Sequence, residues 1–263
     1  MTCSIELKNV SQSFRNNSSG SLGHKKSTSA NMANKNKAAT ITLFKNLDLT
    51  INQGQSYAIT GPSGAGKSSL LMLLSGLEKP TSGQGNFIND NQLSTLDTLR
   101  SDIGFIFQQF HLLPELTALH NVALPLKLRG DKHAISKATH WLEKVGLSDR
   151  AGHKPSQLSG GEQQRVAIAR ALVFSPKFIF ADEPTGNLDQ HNAKEISDIL
   201  FACCQENNAG LIIVTHSNVM ASKAQHIYSL ADGELTKTSS IHVTETREVT
   251  KYLSAEELQV TSC

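Results

Sequence analysis

A glycine-rich segment set between two apolar runs constrains the fold more than any other part of the 263-residue sequence. The segment reads Gly61-Pro62-Ser63-Gly64-Ala65-Gly66-Lys67-Ser68, which fits the pattern of a glycine, four residues, then Gly-Lys-Ser. Residues 56–60 predict a short buried strand before it, and residues 69–77, beginning with Ser69, predict an apolar helix after it. The competing interpretation is a glycine-rich surface turn. The order of strand, loop, Lys-Ser and helix favours a phosphate-binding loop instead.

The residue types of this phosphate loop (residues 61–68) suit the chemistry of a nucleotide. Glycines let backbone N–H groups turn inward, and the start of a helix adds partial positive charge. Lys67 would neutralise the β and γ phosphates, and the Ser68 hydroxyl would bind Mg²⁺. We therefore expect a nucleotide phosphate site with a magnesium ion.

Further short apolar runs look like buried strands, and they alternate with helical stretches. They are residues 103–107, 178–181, 211–215 and 227–230. This alternation predicts an α/β fold with a mostly parallel sheet covered on both faces, and with nucleotide bound beyond the carboxyl ends of the strands.

Between residues 108 and 157 the strand signals disappear, and apolar residues recur at helical spacing. We expect a helical subdomain at about residues 109–160. The apolar positions are Ala134, Ile135, Ala138, Trp141, Leu142 and Val145. Core packing is the simplest role for Trp141 on that stripe.

The N-terminal part divides into two strand-like stretches separated by a polar segment. Residues 5–14 and 41–51 show partial strand alternation and predict an antiparallel β subdomain beside the main sheet. Residues 16–40 are rich in Asn, Ser, Lys and Ala, so we expect a flexible insertion there, either simply solvated or touching anionic lipid or a partner. We place one domain at residues 1–236 and a C-terminal tail at residues 237–263.

Composition excludes several classes of protein. With 38% hydrophobic residues the chain can form an ordinary core, and no apolar run approaches the length that spans a bilayer. Glu6 and Lys8 interrupt the start where a signal peptide would be apolar, so we expect the chain to remain in the cytosol. The four cysteines form no Cys-x-x-Cys pair, and we expect reduced thiols. A net charge of +2 says little about nucleic acid, and no nucleic-acid partner is expected.

A second glycine pair lies in residues 158–165, which we call the signature segment: Leu158-Ser159-Gly160-Gly161-Glu162-Gln163-Gln164-Arg165. Ser159 and Glu162 form a capping-box pattern before a long helical stretch, so a well-capped helix is one interpretation. Capping alone does not explain Gly160 and Gly161, because glycine weakens a helix but leaves bare N–H groups for an anion. We therefore expect a second phosphate-binding helix start.

Together these motifs resemble the ATP-binding-cassette (ABC) ATPases, the nucleotide-hydrolysing subunits of transporters. The resemblance covers residues 5 to about 236 and rests on motifs in the family's order and spacing. They are the phosphate loop, Gln108, the signature segment, residues 178–184 ending in Asp-Glu-Pro, residues 186–189 and His216. It implies ATP and Mg²⁺ as cofactors, and a homodimer closed head to tail in which the signature segment of one chain completes the ATP site of the other.

The resemblance also implies roles for single residues. Asp182, at the end of an apolar strand, would hold Mg²⁺ through its water shell, and Glu183 occupies the position of the catalytic base. Gln108 would touch Mg²⁺ or the attacking water, with Gln109 as the competing assignment. His216 would contact the γ phosphate, and Asp189 would lie at the dimer interface.

Adenine stacking is assigned to Phe14, which occupies the position of the family's aromatic residue. Phenylalanine stands there where tyrosine is common, and the polar insertion lengthens the path to Gly61. Packing in the core is the alternative role for this ring.

Residues 107–117, 121–126 and 184–189 resemble the branch of the family that serves lipoprotein release, macrolide export and peptide export. That branch implies an integral-membrane permease with few spans, and a position on the cytoplasmic face of the inner membrane through that permease. A soluble ABC ATPase of the ribosomal or DNA-repair kind is the alternative. Such proteins resemble two linked cassettes, or carry a long coiled coil between phosphate loop and signature, and neither feature occurs in this chain.

Overall fold

The computed structural model describes residues 3–15 and 40–238. The predicted insertion at residues 16–40 lies outside the described residues except for Thr40, which begins a strand. The predicted tail also lies outside them, except that residues 237 and 238 end the last strand, two residues beyond the predicted boundary at 236.

A six-stranded sheet forms the centre of the molecule, as the alternation of strands and helices predicted. Its order is β10-β9-β3-β8-β7-β6, with parallel neighbours throughout except the antiparallel pair β9 and β10. The strands are β3 (Ser56–Thr60), β6 (Ile103–Phe107), β7 (Phe178–Asp182), β8 (Gly210–Val214), β9 (His226–Ala231) and β10 (Glu234–Thr238).

A second, antiparallel sheet has the order β2-β1-β4-β5. Its strands are β1 (Cys3–Arg15), β2 (Thr40–Asn52), β4 (Ser82–Asn89) and β5 (Gln92–Thr95). The first two form the predicted antiparallel pair. The other two carry no sequence signal, because in β4 only Phe87 is buried and no alternation of apolar and polar residues results. Pairing with β1 makes β4 a strand.

In the described residues, six α-helices accompany the sheets. They are α1 (Lys67–Leu74), α2 (Ala118–Leu128), α3 (Ala134–Lys144), α4 (Gly160–Leu172), α5 (Gln190–Glu206) and α6 (Asn218–Ala221). Between β6 and β7 the described chain is helical or irregular, with α2 and α3 preceding α4, as expected for residues 109–160. Trp141 is 6% exposed within a core cluster, which agrees with packing as its role. No helix of the described residues is both long and apolar enough to cross a bilayer.

The two faces of the central sheet bury different partners. Phe178 and Phe180 pack on the face that carries α1 and the antiparallel sheet. Ile179 and Ala181, which alternate with them along β7, pack on the face that carries α2, α4 and α5. A strand buried on both faces reads as a continuous apolar run, which is why β7 was predictable from sequence.

Gly104 lets α4 approach the sheet closely, and its replacement tests this packing. A Cβ at Gly104 would lie 2.3 Å from the Ala171 carbonyl oxygen and 2.6 Å from Ile179 Cδ1. We expect Gly104→Ala to lower the free energy of unfolding by about 1–3 kcal/mol in urea denaturation, because backbone must shift to admit the methyl group. Gly152→Ala is the control, since no neighbouring atom of the residues that the structure describes lies within 4 Å of its Cβ position. Equal stability of the two variants would contradict the close approach.

Candidate functional site

The phosphate loop joins the carboxyl end of β3 to α1 and lies against two other strands, β9 and β2. Gly61 has φ +140°, and a Cβ there would lie 2.1 Å from the Leu230 carbonyl oxygen of β9. Gly66 has φ +95°, and its Cβ position lies 3.0 Å from Leu43 Cβ of β2. Glycine is therefore needed at Gly61 for both space and backbone conformation.

Lys67 is the first residue of α1 and is almost fully buried, with 6% exposure. Its ammonium donates to the carbonyl oxygens of Gly61 at 3.0 Å and Pro62 at 2.9 Å. His216 Nε2 lies 3.4 Å from the same Nζ atom. Thus the loop's own carbonyls and the histidine surround the cation that is predicted to meet the phosphates.

Glu183 directly follows β7 and faces His216, the second residue after β8, across the sheet edge. Its backbone has φ +48°, and its N–H donates to the Val214 carbonyl at 2.9 Å. The His216 N–H donates to Glu183 Oε2 at 3.3 Å. His216 Nε2 lies 3.2 Å from Oε1 but outside hydrogen-bond geometry, so Oε1 is buried without a donor among the described residues. An unpaired carboxylate oxygen at this edge is suited to accept a proton or a water hydrogen bond.

These side chains share one cavity of about 360 Å³ at the carboxyl ends of the strands. The structure brings together Lys67, Ser68, Asp182, Glu183 and His216, which lie in three separate parts of the sequence. The complete lining is Ser63, Gly64, Lys67, Ser68, Phe107, Gln108, Gln109, His111, Asp182, Glu183, Val214 and His216. Gly61, Pro62, Ala65, Gly66 and Ser69 shape the loop or begin the helix without lining this cavity.

Gln108 lines the cavity but its side chain is tied to the segment after Glu183. Gln108 Nε2 donates to Asn187 Oδ1 at 3.1 Å, and Asn187 Nδ2 donates to the Gln108 carbonyl at 2.9 Å. Gln109, the competing assignment, lines the same cavity. The paired contacts with Asn187 were not predictable from sequence, because they join residues far apart in the chain.

Arg170 fixes the turn that follows Gln108 and Gln109, a role that was not predicted from sequence. Phe110 and His111 both have positive φ, at 56° and 47°. Arg170 Nη2 donates to the Phe110 carbonyl at 2.8 Å, and Nη1 donates to the His111 carbonyl at 2.6 Å. Burial lowers the pKa of this guanidinium. An arginine between Ala169 and Ala171 on an otherwise apolar stretch was the available signal.

The signature segment lies outside the cavity lining. Ser159 is the N-cap of α4, and the predicted capping box is present: Glu162 N donates to Ser159 Oγ at 3.3 Å, and Ser159 N donates to Glu162 Oε2 at 2.7 Å. Gly160 is half-buried, whereas Gly161 is buried against α5, with its Cβ position 3.0 Å from Asn192 Oδ1. Packing against α5 therefore favours glycine at this position, in addition to the predicted anion binding.

Asp189 is the N-cap of α5. This local role was not predicted from sequence. Asp189 Oδ1 accepts from the N–H groups of His191 and Asn192, both at 3.0 Å, and Oδ2 accepts from the Asn192 side chain. The hydrogen bonds from Asn192 hold the pKa of this carboxyl below its usual value. Its predicted place at a dimer interface stays a prediction.

Phe14 lies near the end of β1 and is 45% exposed. Its ring does not belong to either large core cluster, so the core-packing alternative is wrong. It does not line the cavity, and adenine stacking stays a prediction.

Comparison with known proteins identifies the family. The sequence model of the family described as "ABC transporter" matches residues 44–186. The chain is 47% identical over 204 residues to the lipoprotein-releasing system ATP-binding protein LolD of Legionella pneumophila (strain Lens), covering 75% of this chain and 90% of that protein. It is 46% identical over 204 residues to LolD of Acinetobacter baylyi, covering 74% and 89%.

Solved structures agree as well. The dimeric structure of MJ0796, a bacterial ABC transporter cassette, has a TM-score of 0.70 at 37% identity, covering 89% of this chain and 98% of that one. The post-hydrolysis MJ0796 dimer bound to ADP and Pi has a TM-score of 0.69 at 36% identity, with the same coverage. With its phosphate loop, paired carboxylates and histidine gathered in one cavity, this chain belongs to the ABC transporter family as an ATP-binding and ATP-hydrolysing subunit.

Proposed function

We propose that the chain is the ATPase subunit of a lipoprotein-releasing type of transporter, working as a homodimer closed head to tail over two ATP molecules. The names of two similar relatives support this cargo class. In this proposal the dimer sits on the cytoplasmic face of the inner membrane, bound to an integral-membrane permease with few spans.

One observation carries the dimer: each chain holds only part of an ATP site. The cavity contains the phosphate-loop cation, the paired carboxylates and the histidine, but its lining includes none of Ser159, Gly160 and Gly161. A helix start with a capping box and two glycines is nonetheless built for an anion. A second copy that places its signature segment over this cavity would supply the missing half.

The cavity's oxygen ligands fit magnesium. The Ser68 hydroxyl and the Asp182 carboxylate line it together, and both are hard oxygen donors of the kind that Mg²⁺ prefers. No cluster of three or more His, Cys, Asp or Glu side chains in the described part of the chain could hold a metal by itself, so phosphate oxygens would complete the shell. Bound Mg²⁺ would neutralise charge on the phosphates.

The protein's own side chains perform the remaining steps of ATP binding and hydrolysis. Lys67 turns from the Gly61 and Pro62 carbonyls toward the β and γ phosphates. Glu183 Oε1, which has no donor among the described residues, accepts a hydrogen bond or proton from the attacking water. His216, between Lys67 and Glu183, contacts the γ phosphate, and Gln108 or Gln109 positions the water from the other wall.

We also propose the division of the chain. The cassette takes residues 1–238, with residues 109–160 as a helical subdomain, 16–39 as an insertion and 239–263 as a tail. Leu113, at 43% exposure, is the apolar residue near Gln108 that we propose to contact the permease, whereas Leu112 and Leu119 pack against the core.

The transporter assignment is tested by reconstitution with a candidate permease of the proposed class, an integral-membrane protein with few spans. ATP-dependent release of a lipoprotein from proteoliposomes that contain both proteins is the expected result, and a Glu183→Gln chain in the same vesicles is the control. If the chain does not bind that permease and instead sediments with ribosomes, the transporter hypothesis is wrong and the soluble ABC ATPase is favoured.

Gly160→Ala separates the two halves of the proposed site. In the single chain the new methyl group is tolerated, because its nearest neighbours are Leu188 Cδ2 at 3.4 Å and Phe110 Cζ at 3.9 Å. We expect unchanged ATP binding to the monomer and at least about a tenfold loss of turnover, since the methyl group stands where the partner's phosphate approaches. Equilibrium nucleotide binding and phosphate release measure the two effects. Weaker binding to the monomer would contradict the assignment to a second chain.

A further inference from the structure

Glu162 fixes the start of α4, where the proposed dimer brings the partner's γ phosphate. Its Oε2 accepts from Ser159 N at 2.7 Å, and its own N–H donates to Ser159 Oγ at 3.3 Å. The side chain is only 19% exposed. A carboxylate is therefore held beside the N–H groups of Gly160 and Gly161, within the first turn of the helix.

This charge acts in two opposed ways. A carboxylate in the first turn stabilises a helix, because it interacts with the partial positive charge of that end. The same partial charge attracts a phosphate, and a negative group beside it repels one. Glutamine closes a capping box as well as glutamate does, so the cap itself does not require the charge of Glu162.

Arg150 lies against Glu162 and offsets its charge. Arg150 Nε donates to Glu162 Oε1 at 3.0 Å. The hydrogen bonds from Ser159, and then the contact with Arg150, hold the pKa of Glu162 below its usual value, so the carboxylate is ionised and paired.

The turn that carries Arg150 is fixed by backbone hydrogen bonds. Arg150 N donates to the Leu147 carbonyl at 3.0 Å, and His153 N donates to the Arg150 carbonyl at 2.9 Å. The following residues are attached to the start of α2, where Ala118 N donates to the His153 carbonyl at 2.8 Å. The guanidinium is thus presented to the signature segment from a fixed turn.

We propose that Arg150 is a positioning residue for ATP hydrolysis: by neutralising Glu162, it lets the start of α4 receive the phosphate of a nucleotide held by a second copy of the chain. This inference rests on the proposed function, because it requires the signature segment to meet the partner's ATP. Arg150 raises ATP turnover through its charge, which offsets the charge of Glu162.

A double-mutant cycle tests this charge relation. We expect Arg150→Met to lower ATP turnover about five- to tenfold in the otherwise unchanged protein, and less than about twofold in a chain that already carries Glu162→Gln. ATP binding to the monomer stays the same in all four proteins. In chains that also carry Glu183→Gln, ATP-dependent dimerisation, measured by sedimentation, follows the same pattern.

Lys137→Met is the matched control. Lys137 pairs with Asp131 at 2.7 Å, and the exposures of that pair, 52% and 20%, resemble the 47% and 19% of Arg150 and Glu162. We expect no change in turnover or dimerisation from this variant, because the pair lies on α3 and the turn before it.

Two outcomes would overturn the inference: no effect of Arg150→Met, or the same loss with and without Glu162→Gln, which would mean that Arg150 acts through bulk or another contact. A Glu183→Gln chain that never dimerises with ATP while Arg150 is intact would instead contradict the proposed function, and the inference would fall with it.

Discussion

Glu183→Gln is expected to leave ATP binding intact while lowering ATP turnover at least about a hundredfold, the usual contribution of a positioned general base. Glutamine keeps the volume of the side chain and an oxygen that can accept from His216 N, so the site should not collapse. It removes one of the two carboxylates from a cavity that also contains Lys67, which favours retention of ATP. We therefore expect ATP-bound dimers to accumulate.

Phosphate release measures the turnover, and size-exclusion chromatography with ATP measures the dimer. Glu206→Gln is the control, since it makes the same chemical change at the far end of α5, where Glu206 pairs with Lys144. Turnover that is unaffected by Glu183→Gln would show that another group activates the water.

Lys67→Ala is expected to weaken ATP binding by about 10- to 100-fold, because charge-assisted hydrogen bonds to the phosphates are lost. Turnover should fall further, since the cation also stabilises charge on the transferring phosphoryl group. The change also removes the donor to the Gly61 and Pro62 carbonyls, so the loop itself loses two hydrogen bonds.

Loss of fold must be separated from loss of affinity in this variant. Thermal unfolding without nucleotide measures the stability of the fold. Equilibrium binding, at a temperature where the variant is folded, measures the affinity for ATP. Lys79→Ala is the control, because Lys79 is exposed shortly beyond the end of α1. Unchanged affinity in a folded Lys67→Ala protein would show that the phosphates do not meet this ammonium.

The elements that sequence predicted best are those whose signals are local. β6 matches its predicted bounds because five apolar residues run together between polar ends. The phosphate loop is similar, since its glycines, Lys67 and Ser68 are contiguous. α1 begins at Lys67, two residues before the predicted helix, because the Lys-Ser pair forms the first turn. α4 begins at Gly160 because the capping box sets its start.

What sequence could not supply depends on contacts between distant residues. β4 forms because β1 offers an edge, and β5 forms because β4 offers the next edge; their own residues carry little apolar pattern. The hydrogen bonds between Gln108 and Asn187, and between Arg170 and the turn at Phe110, join separate segments. Three donors of α5 reach the Asp189 carboxylate, a local role seen only in the structure, and its place at a dimer interface stays a prediction.

The way the phosphate loop is held also bears on the order in which the chain acquires structure during synthesis. β3, which leads into the loop, pairs with β8 and β9, and the Leu230 carbonyl of β9 lies against Gly61. These partners are among the last described residues to leave the ribosome. Contacts of such long sequence separation form late. Nucleotide therefore cannot stabilise the nascent chain until almost the whole cassette has emerged, and the earlier segments must avoid aggregation without its help.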